Sequence, residues 1–325
     1  MGGRAHLRRR DAVLRDRPLA AVQPRRARGR VAQRAVLSVP FVSADKVARR
    51  LSVADAADAI EAALLAGLDP EAQPPRSALE VGGGELLVMP SVVGGHAAVK
   101  LVTVGGEPRV QGVCVVFDAA TLGPVALVDG IALTNLRTAA VSACAVRRLA
   151  AQDAGRLLVF GRGPQAHAHV AAMRAVRPIE HVDMVGRDRG DVGDLVAAAD
   201  IVCCCTTARE PLFDGALVAD DATVVAIGSH EPDAREVDDA LAARATVVVE
   251  SRSSALREAG DVIGAVRSGA LAEDELVTLA ELVRGAAPAP DGPRLFKSTG
   301  MAWEDGVVAA ALASRAATRD PRSGG

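Results

Sequence analysis

The sequence predicts an α/β fold in which an α+β domain is followed by a Rossmann-type, doubly wound parallel sheet. Short β-branched runs alternate with helical segments over residues 151–290, and a glycine-rich turn joins the first of these strands to a helix. Residues 77–128 instead hold consecutive strand-like runs with no helix between them. Alternating strands and helices are typical of parallel sheets, whereas consecutive strands are typical of antiparallel or mixed sheets. With 325 residues the chain is long enough for two cores.

The first domain, placed at residues 37–150, begins with two predicted helices over residues 43–67, each led by a serine. Runs such as AAVKLVTV and VCVVFD then predict the strands of an antiparallel or mixed sheet. Residues 132–150, ALTNLRTAAVSACAVRRLA, predict a helix whose small side chains allow close packing. A last helix over 302–316 is expected to return to this domain, together with the rest of residues 295–318.

The second domain, placed at residues 151–290, is predicted to bind a dinucleotide. Its predicted strands are RLLVF, HVDMVG, DIVCCCT, ATVVAIG and ATVVVE. Its helices are expected after residue 164 and at 193–199, 236–244 and 252–259. The proline-rich stretch AAPAPDGP ends the domain.

The charge distribution argues against a nucleic-acid partner. Residues 1–36 hold 11 Arg and two Asp, whereas the rest of the chain is acidic overall. The basic block could be a nucleic-acid arm, but it has neither an aromatic residue for stacking nor the apolar segment of a secretory signal. We interpret it as a disordered leader, or as the result of a start codon assigned too far upstream. No apolar run reaches the roughly 18 residues of a membrane span, so we expect a soluble protein.

The cysteines indicate neither a metal site nor a disulfide framework. Cys203, Cys204 and Cys205 are consecutive, and neighbours on a strand face opposite ways, so the three cannot converge on one metal ion. With Cys114 and Cys144 they are interpreted as small apolar residues of a cytoplasmic protein.

The segment LLVFGRGPQAHAHVAAM carries the strongest local motif. Gly161, Gly163 and Ala166 form the pattern G-x-G-x-x-A, with Pro164 and Gln165 inside it, between a predicted strand and a predicted helix. Glycines there allow a tight turn and a close approach of the backbone to a pyrophosphate at the positive end of the helix. A plain glycine-rich turn is the alternative, but the strand-turn-helix setting favours a dinucleotide site.

The residue after the next strand predicts the choice of cofactor. In NAD-binding folds an acidic residue at this position binds the ribose 2′-hydroxyl. Here HVDMVGRDRG places Arg187 after Gly186, and a guanidinium suits a 2′-phosphate. NADPH is therefore the predicted cofactor. NADH stays possible, because a shifted turn would put Asp188 in the acid's place.

Three cations lie in segments that are otherwise poor in charge. Arg76 precedes the predicted sheet, Lys100 lies inside an apolar strand, and Arg137 interrupts a helix of small residues. A single lysine on a strand is usually solvated at a sheet edge. Three such cations in one domain instead predict convergence on an anionic substrate such as a carboxylate.

Motifs spread along most of the chain form a specific combination. They are VMPSVVGGHAAVKLVT, LVDGIALTNLRTAAVSA, FGRGPQA, ADIVCCCTTAREP, IGSHEPDAREVDD, EAGDV and FKSTGMAWED. Together they resemble the ornithine cyclodeaminase/mu-crystallin family from about residue 39 to about residue 317. The resemblance implies a substrate-binding and dimerisation domain followed by a Rossmann domain, a bound NAD(H) or NADP(H), and a small α-amino or α-imino acid substrate. It also implies a homodimer.

The resemblance assigns roles to matching positions. It implies that three cations bind the substrate carboxylate and line the active site: Arg76, Lys100 and Arg137. It implies a pyrophosphate loop at residues 161–166, a threonine near the cofactor at Thr206 and a turn beside the nicotinamide at Gly228. Glu258 matches a glutamate that has a catalytic role in the family, and FKSTGMAWED matches a loop that lines the pocket.

Two departures from the family pattern bear on function. Ornithine cyclodeaminases have an aspartate acid/base where this chain has His230. Imidazole exchanges protons near neutral pH but carries no negative charge to hold a second cationic amine, so it favours hydride transfer over deamination. A loop histidine without a catalytic part is the alternative. Only residues 187–199 separate the second strand of the Rossmann domain from the next, where the family usually has another helix and strand, so the adenine side is shortened.

The leading hypothesis is an NAD(P)H-dependent reductase of cyclic ketimine carboxylates, with Lys100 and His230 as the catalytic residues. The substrates would be Δ1-pyrroline-2-carboxylate or Δ1-piperideine-2-carboxylate, and the products proline or pipecolate. Two alternatives stay open: an ornithine cyclodeaminase with bound NAD, and a non-catalytic binder of a small ligand.

Overall fold

Two β-sheets organise the part of the chain that this computed structural model describes, which is residues 39–188, 190–287, 290 and 292–317. The described residues from Val39 onward form one compact unit. The Arg-rich leader predicted at residues 1–36 lies outside the described residues. Within those residues, no helix is both long and apolar enough to cross a membrane.

The first sheet is mixed, as predicted for the first half of the chain. Its strands, in chain order, are β1 (Phe41–Val42), β2 (Ser77–Val81), β3 (Gly84–Val93), β4 (His96–Val104), β5 (Val110–Asp118) and β6 (Pro124–Asp129). The order across the sheet is β1-β6-β5-β4-β3-β2, with β1 parallel to β6 and the other pairs antiparallel. Along β4 the buried residues alternate with more exposed ones, so one face carries the core.

Helices cover that buried face. They are α1 (Ala44–Arg50), α2 (Val53–Leu65), α3 (Gly130–Leu149) and the last helix, α10 (Ala302–Ala317). A reciprocal capping box between Ser52 and Asp55 begins α2. α3 begins at Gly130, two residues earlier than predicted. Its N-cap, Asp129, explains this, because Oδ1 accepts the N–H groups of Ile131 and Ala132 at 3.1 and 2.9 Å. The last helix packs against this part of the fold, because α10 contacts β3, β4, α2 and α3.

The second sheet is entirely parallel, which confirms the predicted fold class. Its strands are β7 (Arg156–Phe160), β8 (His181–Val185), β9 (Ile201–Cys204), β10 (Thr223–Ala226), β11 (Thr246–Val249), β12 (Val277–Thr278) and β13 (Arg294–Lys297). Its helices are α4 (Pro164–Val176), α5 (Gly193–Ala197), α6 (Asp239–Ala242), α7 (Arg252–Glu258), α8 (Gly260–Ser268) and α9 (Leu279–Val283). The order of the strands is β12-β11-β13-β10-β9-β7-β8.

Two of these strands were not predicted from the sequence. β12 has two residues, and β13 is a four-residue segment that follows the proline-rich stretch, so neither gives a periodic signal. Because β13 lies between β10 and β11, the chain returns to the first sheet only from α10 onward and not from residue 295. The helix expected over 236–244 is also shorter than predicted and covers only α6.

The order of the strands creates a binding crevice. β7 has β8 on one side and β9 on the other, so the chain direction across the sheet reverses at β7. In open parallel sheets, ligands bind at such a switch point, beyond the carboxyl ends of the strands. β8 is the edge strand, and only the short α5 lies between it and β9.

The helix layer on the first sheet gives a stability prediction. Ile60 of α2 is fully buried, whereas Leu65 of the same helix is 56% exposed. Replacing Ile60 by alanine is expected to lower the free energy of unfolding by about 2–5 kcal/mol. Leu65→Ala, the matched control, should change it by about 0.5 kcal/mol or less. Urea unfolding measures both, and equal losses would contradict the described packing of α2.

Candidate active site

The glycine-rich turn leaves room for an anion at the start of α4. Gly161 has a φ of +115°, and a Cβ there would lie 2.5 Å from the carbonyl oxygen of Cys205, so only glycine fits. Gly163 is the N-cap of α4, and a Cβ added to it would meet no heavy atom within 4 Å. Open space therefore lies above the positive end of a 13-residue helix, which suits a pyrophosphate.

A first cavity of about 890 Å³ begins at this turn. It is lined by nearly all residues predicted to bind the cofactor: Gly161, Gly163, Pro164, Gln165, Arg187, Thr206 and Gly228. Ala166 is instead fully buried beneath the loop. The size and the open helix end fit an extended dinucleotide.

The far end of the first cavity carries charged groups at the tip of β8. Arg187 lines the cavity, and its Nη2 lies 3.5 Å from Oγ1 of Thr207. Asp188, the alternative for gripping a ribose, faces Nη1 of Arg162 at 3.3 Å. Because β8 is an edge strand, this end of the cavity is less enclosed than the rest.

A second cavity of about 440 Å³ adjoins the first. Arg76, Lys100, Arg137 and His230 all line it, although they come from distant parts of the sequence. Apolar residues of the first sheet form another wall: Leu87, Met89, Val102, Val104 and Val110. The two cavities share lining residues, among them Thr134, Gln165, Ile227 and Gly228. A ligand in one cavity would therefore touch a ligand in the other.

The two deepest cations share a carboxylate from α10. Lys100 Nζ lies 2.7 Å from Oδ2 of Asp305, and Arg137 Nε lies 3.2 Å from its Oδ1. Arg137 Nη1 also donates to Glu304 at 2.8 Å. Burial lowers the pKa of the Lys100 ammonium, and Asp305 offsets part of this effect. Lys100 therefore loses its proton more readily than an exposed lysine does.

Arg76 and His230 lie at the opposite wall of the second cavity. Arg76 Nη2 donates to Glu258 at 2.6 Å and to the carbonyl oxygens of Thr299 and Gly300 at 2.9 Å. Glu258 is thus a partner of Arg76. Burial, and then the nearby charge of Arg76, lower the pKa of His230, so its imidazole is neutral at pH 7.

The sequence matches the model of the ornithine cyclodeaminase/mu-crystallin family over residues 39–193 and 189–320. The chain belongs to this family. A Δ1-pyrroline-2-carboxylate reductase from Colwellia psychrerythraea is 35% identical over 227 residues, which are 62% of this chain and 72% of that protein. The ketimine reductase mu-crystallin of Rattus norvegicus is 36% identical over 265 residues, which are 73% of this chain and 83% of that protein.

Solved structures of similar proteins show the same fold. The Δ1-pyrroline-2-carboxylate reductase of Thermococcus litoralis, in complex with NADH and L-proline, has a TM-score of 0.78 at 27% identity. The similarity covers 86% of this chain and 98% of that one. A probable ornithine cyclodeaminase from Bordetella pertussis Tohama I has a TM-score of 0.81 at 30% identity, over 87% of this chain and 98% of that one.

This member of the ornithine cyclodeaminase/mu-crystallin family has buried charges around the site that the sequence did not reveal. Asp305 and Glu304 hold the cations, and Glu250 accepts the N–H groups of Thr299 and Gly300 at 2.9 and 3.0 Å. All three carboxylates are buried. Lys100 was identified because it is a charged residue inside an apolar segment. These three carboxylates also lie next to apolar segments, so the same pattern could have identified them.

The cysteines and histidines form no metal site in the described residues. Cys203 and Cys204 are buried in β9, and all five thiols are free. Burial raises the pKa of the Cys114 thiol to about 12, so that thiol is neutral at pH 7.

The glycine-rich turn of this family member gives a paired prediction. Gly163→Ala is expected to leave the melting temperature unchanged, because its Cβ enters open space, but to weaken dinucleotide binding roughly tenfold or more. Gly161→Ala should instead lower the stability by about 1 kcal/mol or more, since its φ is positive and its Cβ meets Cys205. Thermal unfolding and calorimetric titration measure the two effects. If Gly163→Ala binds the dinucleotide as tightly as the wild type, the pyrophosphate does not bind at this loop.

Proposed function

We propose that the protein is an NADPH-dependent reductase of cyclic ketimine carboxylates, which converts Δ1-pyrroline-2-carboxylate or Δ1-piperideine-2-carboxylate to proline or pipecolate. The observation that carries the proposal is the shared wall of the two cavities. One cavity begins at the glycine-rich turn, the other is lined by cations that include Arg76, Lys100 and Arg137, and Gly228 belongs to both. The names of the reductases from Colwellia psychrerythraea and Rattus norvegicus support the same reaction class.

The cations of the second cavity bind and orient the substrate. All described hydrogen bonds of the Arg76 guanidinium use Nη2, so its other terminal nitrogen keeps donors for a carboxylate. Arg137 lines the same cavity and supplies a second guanidinium. With the carboxylate held there, the apolar side chains of Leu87 and Met89 contact the ring. The C=N bond then points toward the shared wall at Gly228.

Lys100 supplies the proton that the reaction needs. Residues 161–166 would hold the dinucleotide, with Thr206 and Gly228 at its nicotinamide end, and the bound cofactor would supply hydride to the imine carbon. The imine nitrogen must gain a proton, and the lowered pKa of Lys100 favours the transfer. Neutral His230 accepts or donates a hydrogen bond at the same nitrogen and helps exclude water.

The charges at the rim disfavour the cyclodeaminase reaction. Ornithine carries a second cationic amine, which needs a carboxylate partner in the cavity. Glu231 lines the cavity, but Arg209 Nη1 lies 2.6 Å from its Oε2. His230, which takes the place of the family's aspartate, offers no negative charge.

We also propose that the protein is a homodimer and works in the cytoplasm. β2 is an edge strand exposed along its whole length, and its Leu79 and Val81 side chains are 53% and 54% exposed. An apolar edge strand needs a cover, which a second copy would supply. The five free thiols support a reducing compartment.

A steady-state assay tests the proposed reaction. NADPH is expected to be oxidised when either cyclic imine is added, without ammonia release from ornithine. Lys100→Met should lower kcat roughly 10²-fold or more while NADPH still binds, because it removes the proton donor. Lys46→Met, a matched change on the exposed face of α1, should behave as wild type. The proposal fails if no imine oxidises NADPH, or if ornithine releases ammonia without net cofactor turnover.

The choice of NADPH depends on Arg187. Arg187→Ala is expected to raise the KM for NADPH roughly ten- to a hundredfold and to leave the KM for NADH nearly unchanged, because only NADPH carries a 2′-phosphate. The matched control is Arg156→Ala, because Arg156 begins β7 and so lies at the end of the strands away from Arg187. Initial rates with both cofactors measure the effect, and an equal loss with both would place the 2′-phosphate elsewhere.

A further inference from the structure

A buried carboxylate lies directly behind the wall that the two cavities share. Oε1 of Glu236 accepts hydrogen bonds from the N–H and Oγ1 of Thr206 at 2.9 and 2.7 Å, and Oε2 accepts the N–H of Gly228 at 2.7 Å. The parallel strands β9 and β10 pair Cys204 with Ala226, so the two segments leave the sheet side by side. Glu236 therefore ties together the ends of both strands.

Gly228 separates this carboxylate from the cavities. A Cβ at Gly228 would overlap both the carbonyl oxygen of Thr206 and Oε1 of Glu236, so no side chain can be inserted there. Only backbone then lies between the carboxylate and a ligand at the shared wall. Glu236 itself is fully buried. Its charge is poorly screened by solvent at this position.

When Glu236 is ionised, the charged groups behind the wall carry a net negative charge. Lys297 Nζ lies 2.8 Å from Oδ2 of Asp261 and donates to the carbonyl oxygen of Ser229 at 2.8 Å. Asp261 Oδ1 accepts the N–H of Glu236 at 2.7 Å. The other titratable groups that face Glu236 are the thiols of Cys204 and Cys205, and burial raises their pKa well above the usual value. One lysine thus faces two carboxylates.

We propose that ionised Glu236 makes the protein bind the oxidised, cationic nicotinamide more tightly than the reduced, neutral one, and so assists hydride release. The inference rests on the proposed function. In the proposed reaction, hydride transfer would break a C–H bond at C4 of the nicotinamide and form one at the imine carbon. The C=N electron pair would move to the nitrogen, which takes a proton from Lys100. The nicotinamide ring gains one positive charge in this step. A negative charge behind the ring is stabilising only as that positive charge develops.

The same carboxylate makes the preference depend on pH. Burial raises the pKa of Glu236 to about 7, against the opposing effects of Lys297 and the hydrogen bonds from Thr206 and Gly228. The group is ionised above this pKa and neutral below it. The preference for the oxidised form is therefore present at higher pH and lost as the pH falls through about 7. A bound cation favours ionisation, so NADP⁺ binding near neutral pH releases a proton.

Calorimetric titration with NADP⁺ and with NADPH tests the inference without turnover. Both ligands carry the 2′-phosphate, so the ratio of their dissociation constants isolates the charge of the ring. In wild type, NADP⁺ is expected to gain affinity relative to NADPH roughly tenfold between pH 6 and pH 8. Glu236→Gln should abolish both this change and the proton release. Glu250→Gln, which removes another buried carboxylate that holds backbone N–H groups, should keep both.

Distinct outcomes overturn the inference. If Glu236→Gln weakens the binding of both forms equally, the residue only holds the backbone, and its charge has no part in the preference. If that variant does not fold, the wild-type ratio decides alone, and a ratio that is constant with pH contradicts the inference. If wild type binds neither form, the proposed function fails, and the inference fails with it.

Discussion

The ion pairs around Asp305 determine the geometry of the candidate site. This carboxylate reaches Lys100 on β4 at 2.7 Å and Arg137 on α3 at 3.2 Å, and all three side chains are buried. Removing one partner of a buried ion pair typically costs several kcal/mol, because it leaves a charge without compensation. The two cations are therefore fixed at the cavity wall only while α10 is in place. The packing of α10 on the first sheet therefore positions the two cations in addition to burying apolar side chains.

Charges of opposite sign lie on the two sides of the shared cavity wall. On the side of the second cavity, Arg76, Lys100 and Arg137 line the wall, and burial together with Glu250 raises the pKa of Glu304 well above its usual value, which favours its neutral form. On the other side of Gly228, Lys297 faces both Asp261 and Glu236. A carboxylate and a developing nicotinamide cation would each find its complement. The arrangement suits hydride transfer to a carbon next to a carboxylate, because the charges are in place before the reaction begins.

The sequence predicted those features that depend on local pattern. The β-branched strands, the G-x-G-x-x-A turn and the small-residue helix α3 each follow from spacing and composition, and the family resemblance is confirmed. β13 was missed because its residues, RLFK, include no β-branched residue and two charged ones, and its position between β10 and β11 is set by long-range packing. Glu236, Asp261 and Lys297 were missed for a related reason: charges 25 or more residues apart give no local sign that they meet. The roles of Arg76, His230 and Glu258 stay predictions, although Arg76 and His230 line one cavity and Glu258 pairs with Arg76.

We propose that Arg76, Lys100 and Arg137 hold an acid group against a nicotinamide that lies beside Gly228. A crystal structure with NADP⁺ and L-proline or L-pipecolate tests it most directly. We expect a pyrophosphate over Gly163, a carboxylate bound by Arg76 and Arg137, and an α-carbon that faces C4 of the nicotinamide. An amino acid bound with its carboxylate away from these cations, or a dinucleotide outside the first cavity, would contradict it.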